Sequence, residues 1–85
     1  MEYYIIAFRS RSDTLAFYEF LKGNGVFVSV VNTPKEAGVG CGLSVKTDKS
    51  FAPFINNALR LFRRKSYAGV FVVSERNGKR TIKAV

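Results

Sequence analysis

A single cysteine, Cys41, lies between Gly40 and Gly42 at the end of a glycine-rich run. With no second cysteine it cannot close a disulfide within the chain, so its thiol is either a small packing group or a reagent. Glycines on both sides leave the sulfur without steric cover and let the backbone bend around it. Free cysteine is also among the most buried residue types, and a residue opening a strand can simply pack inward, so both readings stand at this level. The rest of the chemical inventory is sparse. There is no histidine, which removes Ser-His and Cys-His catalysis and most zinc sites. One cysteine excludes a Cys-x-x-Cys redox or metal motif. The acids, Glu2, Asp13, Glu19, Glu36, Asp48 and Glu75, are dispersed, with no sign of a carboxylate pair. No metal, no resident cofactor and no stand-alone enzyme is expected.

Gly38, Gly40 and Gly42 could turn backbone N–H groups toward an anion, as a nest does, or could equally serve a tight turn. The run lacks the Gly-Lys-Ser/Thr ending of a P-loop. It also lacks the spacing and the following helix of a dinucleotide fingerprint.

The elements that must position Cys41 follow from periodicity. Residues 3–8 form an apolar, aromatic first strand. A polar turn leads to a helix over 14–22, capped by Ser12 or Asp13, with Thr14, Phe17, Tyr18 and Leu21 on one face. Gly23 and Gly25 stop that helix. Residues 26–31 are β-branched and form strand two. A loop over 32–40 precedes strand three, 43–46, which alternates apolar and polar residues. Ser50 is expected to cap a second helix, 51 to about 64, burying Phe51, Phe54, Ile55, Ala58, Leu61 and Phe62. Strand four spans 67–74. Asn77-Gly78 is a type I′ hairpin signal, and strand five spans 79–85.

This order is βαββαβ with an extra C-terminal hairpin strand. It predicts an α+β, ferredoxin-like domain, residues 1–85, with an antiparallel sheet ordered 5-4-1-3-2 and both helices on one face. The other face carries apolar residues from several strands, and burial in a homodimer is the simple remedy. A chain of 85 residues buries a modest core, which points the same way.

The topology places Cys41 at the end of the sheet where helix one begins and helix two ends. Arg9, Arg11 and Lys35 gather there, with Arg63, Arg64 and Lys65 at the end of helix two; all are candidates for binding an anion or partner, with Gly40 and Gly42. Positive potential favours a thiolate, the nucleophilic form of the thiol. The bland readings are a solvated loop tip for Lys35-Glu36 and a basic last helical turn for Arg63-Arg64-Lys65. The net charge of +8 suits either solubility or an anionic partner such as nucleic acid, phosphate or an acidic protein. No apolar run is long enough to cross a membrane, and residues 1–8 read as a strand rather than a leader. With one thiol, the expected setting is a reducing cytoplasm.

Tyr4-Ile5-Ile6-Ala7-Phe8, then Val30-Val31-Asn32-Thr33-Pro34-Lys35-Glu36 and, four residues on, Cys41-Gly42-Leu43-Ser44-Val45 make a pattern. It resembles a family of small bacterial domains described as selenium/sulfur carrier-like. The resemblance covers most of the chain up to strand three. It implies that Cys41 holds sulfur or selenium transiently, as a persulfide or selenosulfide, and passes it from a donor to an acceptor protein. Pro34, Lys35, Glu36 and Gly42 match the family's loop without an assigned role. The loop here has Ala37-Gly38-Val39-Gly40 where serines are common in the family, and the chain continues into a basic hairpin.

Three functional readings result. The first is a thiol carrier, with Arg9, Arg11 or Lys35 stabilising the terminal anion. The second is a basic module for nucleic acid or another polyanion. Against its usual mode, strand three lacks the base-stacking aromatics of RNA readers with this fold. The third is a dimeric structural or regulatory subunit without thiol chemistry.

Overall fold

A computed structural model describes residues 1–38, 40–62 and 66–85. Five strands, β1 (Glu2–Phe8), β2 (Val28–Asn32), β3 (Leu43–Asp48), β4 (Tyr67–Arg76) and β5 (Lys79–Ala84), pair antiparallel throughout. Their order is β2-β3-β1-β4-β5, the order expected from the sequence read from the other edge. The helices α1 (Arg11–Gly23) and α2 (Ala52–Phe62) follow β1 and β3.

Side-chain alternation divides β1 between two apolar clusters. Ile6 and Phe8 join Val45, Val70 and the helical residues Phe17, Leu21, Ile55, Ala58 and Leu59. The Phe17 ring sits 5.3 Å from Phe8 and 5.0 Å from Phe62, so one aromatic chain ties β1 to both helices. On the opposite face Ile5 and Ala7 cluster with Phe71 and Val73. This is the face whose apolar residues suggest a second copy. Here Ile5, Ala7 and Val73 are already buried within one chain. The loop after β2 contributes a 3-10 turn, Lys35–Ala37, whose Ala37 packs on that cluster. Around it the face is polar: Lys46 lies 4.2 Å over the Tyr3 ring, and Glu36 pairs with Arg80 of β5 at 2.9 Å.

Local chemistry moves several element boundaries from those expected. Ser10, not Ser12 or Asp13, caps α1, because the helix starts earlier and the Ser10 hydroxyl accepts from the Asp13 N–H. α1 ends in a Schellman arrangement: Val26 N–H donates to Leu21 C=O and Gly25 N–H to Lys22 C=O, with Gly25 at φ +80°. That arrangement occupies Gly25 and Val26, so β2 begins at Val28 rather than at Val26. Before α2, Asp48 rather than Ser50 supplies the cap. Its carboxylate accepts from Ser50 N–H at 2.8 Å, and a 3-10 turn, Lys49–Phe51, precedes the helix.

The buried stripe of α2 is Ile55, Ala58 and Leu59, with Phe51 and Phe62 packed beside it. Phe54 and Leu61 are exposed, contrary to the expected stripe. They lie seven residues apart on the flank of the stripe, and a helix packed on one side only leaves that flank in water. The hairpin is as expected: Asn77 and Gly78 both have positive φ, +51° and +77°, as a type I′ turn requires.

The two sheet edges differ. β5 carries Lys79, Arg80 and Lys83, whereas β2 reads Val-Ser-Val-Val-Asn without a charge. Thr33 N–H donates to Gly42 C=O at the end of the β2–β3 pair. The alternation of antiparallel pairing then turns the backbone groups of Val28, Val30 and Asn32 to the free edge. Phe27, just before β2, is 84% exposed.

Candidate functional site

The site is assembled at the C-terminal end of β1. After a register shift at Ala7/Phe8, Arg9 N–H donates to Ser66 C=O at 2.7 Å, and the Arg9 guanidinium donates to Tyr67 C=O at 3.2 Å. Ser10 N–H donates to the Ser66 hydroxyl. Ser66 in turn donates through its N–H and its hydroxyl to the Asp13 carboxylate, at 3.0 and 2.8 Å. The first turn of α1 is thereby tied to the start of β4 by contacts that reach across more than fifty residues.

Residues 33–42 form a loop whose ends are joined by the Thr33 N–H to Gly42 C=O bond, 2.8 Å, and by the hydroxyl pair Thr33–Ser44, 2.6 Å. Compact loops with joined ends often carry function because their tips are held in place. This one is anchored twice more. Outside, the Arg80 guanidinium donates to both carboxylate oxygens of Glu36. A hydrogen bond from its own backbone, together with Arg80, holds the Glu36 carboxyl below its ordinary value of 4.5. Inside, Cys41 N–H donates to Phe8 C=O at 3.0 Å, which pins the cysteine over the end of β1. Gly40 allows this close approach: a Cβ at this position would lie 3.1 Å from the same Phe8 oxygen.

Cys41 is exposed, which decides between the packing and surface readings left open by its sequence. Its Sγ lies 3.7 Å from the Thr14 Oγ1 and 3.7 Å from the Leu43 carbonyl oxygen. Thr14 is fully buried in the first turn of α1 and donates its one hydroxyl proton to Ser10 C=O at 3.0 Å. The Cys41 S–H in turn donates to Leu43 C=O, so both protons are directed to backbone carbonyls and the hydroxyl and thiol meet in close contact.

Beside the thiol is a cleft of about 580 Å³ lined by Arg9, Thr33, Pro34, Lys35, Gly38, Gly40 and Gly42. Among the described residues its lining holds two cations and no acid. Cys41 is not among its lining residues; thiol and cleft adjoin through Gly40 and Gly42. Of the residues singled out in the sequence, Arg9, Lys35, Gly40 and Gly42 come together here. Arg11, the first residue of α1, does not line the cleft. Arg63, Arg64 and Lys65 lie outside the described residues. Within the glycine run, Gly38 N–H donates to Lys35 C=O and Cys41 N–H to Phe8 C=O, so these two amides are already committed to the chain. Thr14 and Thr33 are the neighbours that sequence reasoning passed over. Thr14 had a signal, a hydroxyl on an otherwise apolar helix face; Thr33 had none. Among the described residues no group of His, Cys, Asp or Glu side chains could hold a metal ion, and no helix is long and apolar enough to cross a membrane.

A small α+β domain with one exposed thiol on an anchored loop is the class these observations define. The family described as Putative Se/S carrier protein-like matches residues 3–63, which run from within β1 through the end of α2 and take in the cysteine loop, and the chain belongs to that family. No curated protein and no solved structure matches the chain.

Proposed function

We propose that the protein carries one sulfur or selenium atom on Cys41 and relays it between two partner proteins. In the sulfur form, the Cys41 thiolate attacks the outer sulfur of a donor's persulfide. The donor's S–S bond breaks, the donor leaves as a thiolate, and Cys41 holds the transferred sulfur as a persulfide. An acceptor thiolate then attacks that outer sulfur and restores the Cys41 thiolate. With selenium, the same exchange passes through a selenosulfide. No electrons are gained or lost overall, so no separate redox partner is required.

The observation that carries this reading is that the chain's one thiol is exposed and held by the backbone at a defined place. A persulfide is vulnerable to any neighbouring thiol, which would displace its outer sulfur and close a disulfide. Here the chain offers no such thiol, so the loaded sulfur cannot be lost to a disulfide within the chain. Arg9 and Lys35, in the adjoining cleft, supply positive potential beside a terminal anion. Family membership supports the class of cargo. The reading places the protein in a reducing compartment, where a lone thiol stays free for exchange.

The test is loading by a low-molecular-weight persulfide, read by intact-protein mass spectrometry. The expected product is heavier by one sulfur atom, returns to its starting mass with a thiol acceptor, and is absent from Cys41→Ser. Failure of the folded wild type to gain the atom, or an equal gain by Cys41→Ser, refutes the reading.

A further inference from the structure

The β4–β5 hairpin begins after the family match ends at residue 63, and it brings its own charge. Register places Arg76 opposite Lys79, Ser74 opposite Thr81 and Val72 opposite Lys83, so these six side chains share one face. On that face Lys79, Thr81 and Lys83 repeat about every 6.8 Å along the strand. A groove of about 490 Å³ runs between Ser74, Arg76, Asn77, Lys79 and Thr81 and has no acid in its lining. Glu2, on this side of the sheet, is engaged by Lys49 at 2.7 Å and by the Ser74 hydroxyl at 2.8 Å, and Arg76 adds a weaker attraction to it. The Lys79 and Lys83 side chains make no hydrogen bond or ion pair among the described residues. Like charges directly opposite one another on paired strands repel, and Arg76 and Lys79 close the hairpin turn in that relation. An arrangement that costs stability in the free protein is relieved when an anion lies between the two cations.

We propose that this hairpin face docks the phosphodiester backbone of a nucleic-acid duplex, with Arg76, Lys79 and Lys83 as the phosphate contacts and the Thr81 hydroxyl as an added donor. Binding sites for single strands stack bases on exposed aromatic side chains, and this face presents none. Its cations and hydroxyl read charge and spacing rather than base identity, which makes binding independent of sequence. The site lies at the end of the sheet away from the β1 C-terminus and Cys41, and it does not depend on the thiol reading.

The experiment is fluorescence anisotropy of a labelled DNA duplex titrated with the full chain over a series of salt concentrations. Three phosphate contacts give a slope of log K against log salt of about −2.7. Affinity then falls about 40-fold between roughly 50 and 200 mM salt. Lys83→Gln is expected to reduce the slope by about 0.9, and the triple change Arg76→Gln, Lys79→Gln, Lys83→Gln to bring it near zero. These side chains are exposed, and thermal unfolding verifies that the variants remain folded. A control pair, Lys22→Gln with Arg60→Gln, removes two exposed cations elsewhere and is expected to leave the slope unchanged. Absence of binding at low salt, a slope the triple variant retains, or an equal loss in the control pair overturns the proposal. So does labelled poly-glutamate binding as tightly as the duplex, which would point to an acidic protein.

Discussion

Alanine at Gly40 and at Gly42 separates two effects that the loop combines. The two glycines have nearly the same φ, +92° and +96°, so alanine meets similar backbone strain at either, about 1–3 kcal/mol. Alanine also lowers the entropy of the unfolded chain, which returns about 0.4–1 kcal/mol. The surroundings differ. A Cβ at Gly42 has nothing within 4 Å, whereas one at Gly40 lies 3.1 Å from the Phe8 carbonyl oxygen and 3.5 Å from the Ala7 Cβ. That carbonyl also accepts the Cys41 N–H at 3.0 Å. Relieving the pinch lifts the loop and weakens this bond, at about 0.5–1.5 kcal/mol. Gly42→Ala should therefore destabilise by about 1 kcal/mol and Gly40→Ala by about 2 kcal/mol. In thermal unfolding, the difference of about 1 kcal/mol appears as a gap in Tm of about 4–8 °C. If the loop opens locally instead, amide exchange at Cys41 should be about five-fold faster in Gly40→Ala than in Gly42→Ala. Equal stabilities together with equal exchange rates would refute the packing argument, and with it the claim that Phe8 positions the cysteine.

The face assigned to α2 is tested by a pair of truncations. Leu59→Ala should cost about 2–5 kcal/mol in urea unfolding, while Leu61→Ala, at a side chain 67% exposed, should stay within about 0.5 kcal/mol of wild type. For the helix cap, Ser10→Ala should destabilise by about 1 kcal/mol and Ser12→Ala by much less, measured the same way. The Glu36 carboxyl is held below its ordinary 4.5, so its contribution is complete above that pH and is lost as pH falls through the lower folded value. Amide exchange at Ala37 should accelerate over that acid range, and Arg80→Gln should remove most of the acceleration that the Glu36 pairing accounts for. A profile unchanged by Arg80→Gln would show that the ion pair does not hold the turn.

The sheet was legible because its signals are local. Asn77-Gly78 sets the hairpin, the alternation of residues 43–46 sets β3, and connection rules leave little freedom in the strand order. Element ends were less legible, since each depends on a competition among adjacent polar groups. Ser10, Ser12 and Asp13 all suit an N-cap, and the choice falls to Ser10, whose N–H is also held by Ser66, 56 residues away. Leu59 and Leu61 are alike in sequence, and only the direction from which the sheet approaches α2 separates them. Cys41 shows the same limit. Its glycine neighbours permit either burial or exposure, and the decision is made by hydrogen bonds to Phe8 and between Thr33 and Gly42, which have no pattern in the sequence. The folding of the loop across the second sheet face was equally hidden, because Ala37 is small and Glu36 and Arg80 are 44 residues apart.

The unequal sheet edges have a consequence for how the protein can associate with itself. Strand addition from β2 of one copy to β5 of another would be head-to-tail, and every copy so added would expose a fresh β2, the geometry of an open fibre. The lysines and arginine of β5 oppose that contact. What remains is β2 against β2, where Val28, Val30 and Asn32 offer the same backbone groups on both sides and Phe27 lies beside each. Such a contact is two-fold and consumes both available edges at once. Charge on one outer strand thus works against the head-to-tail addition that would otherwise extend without limit.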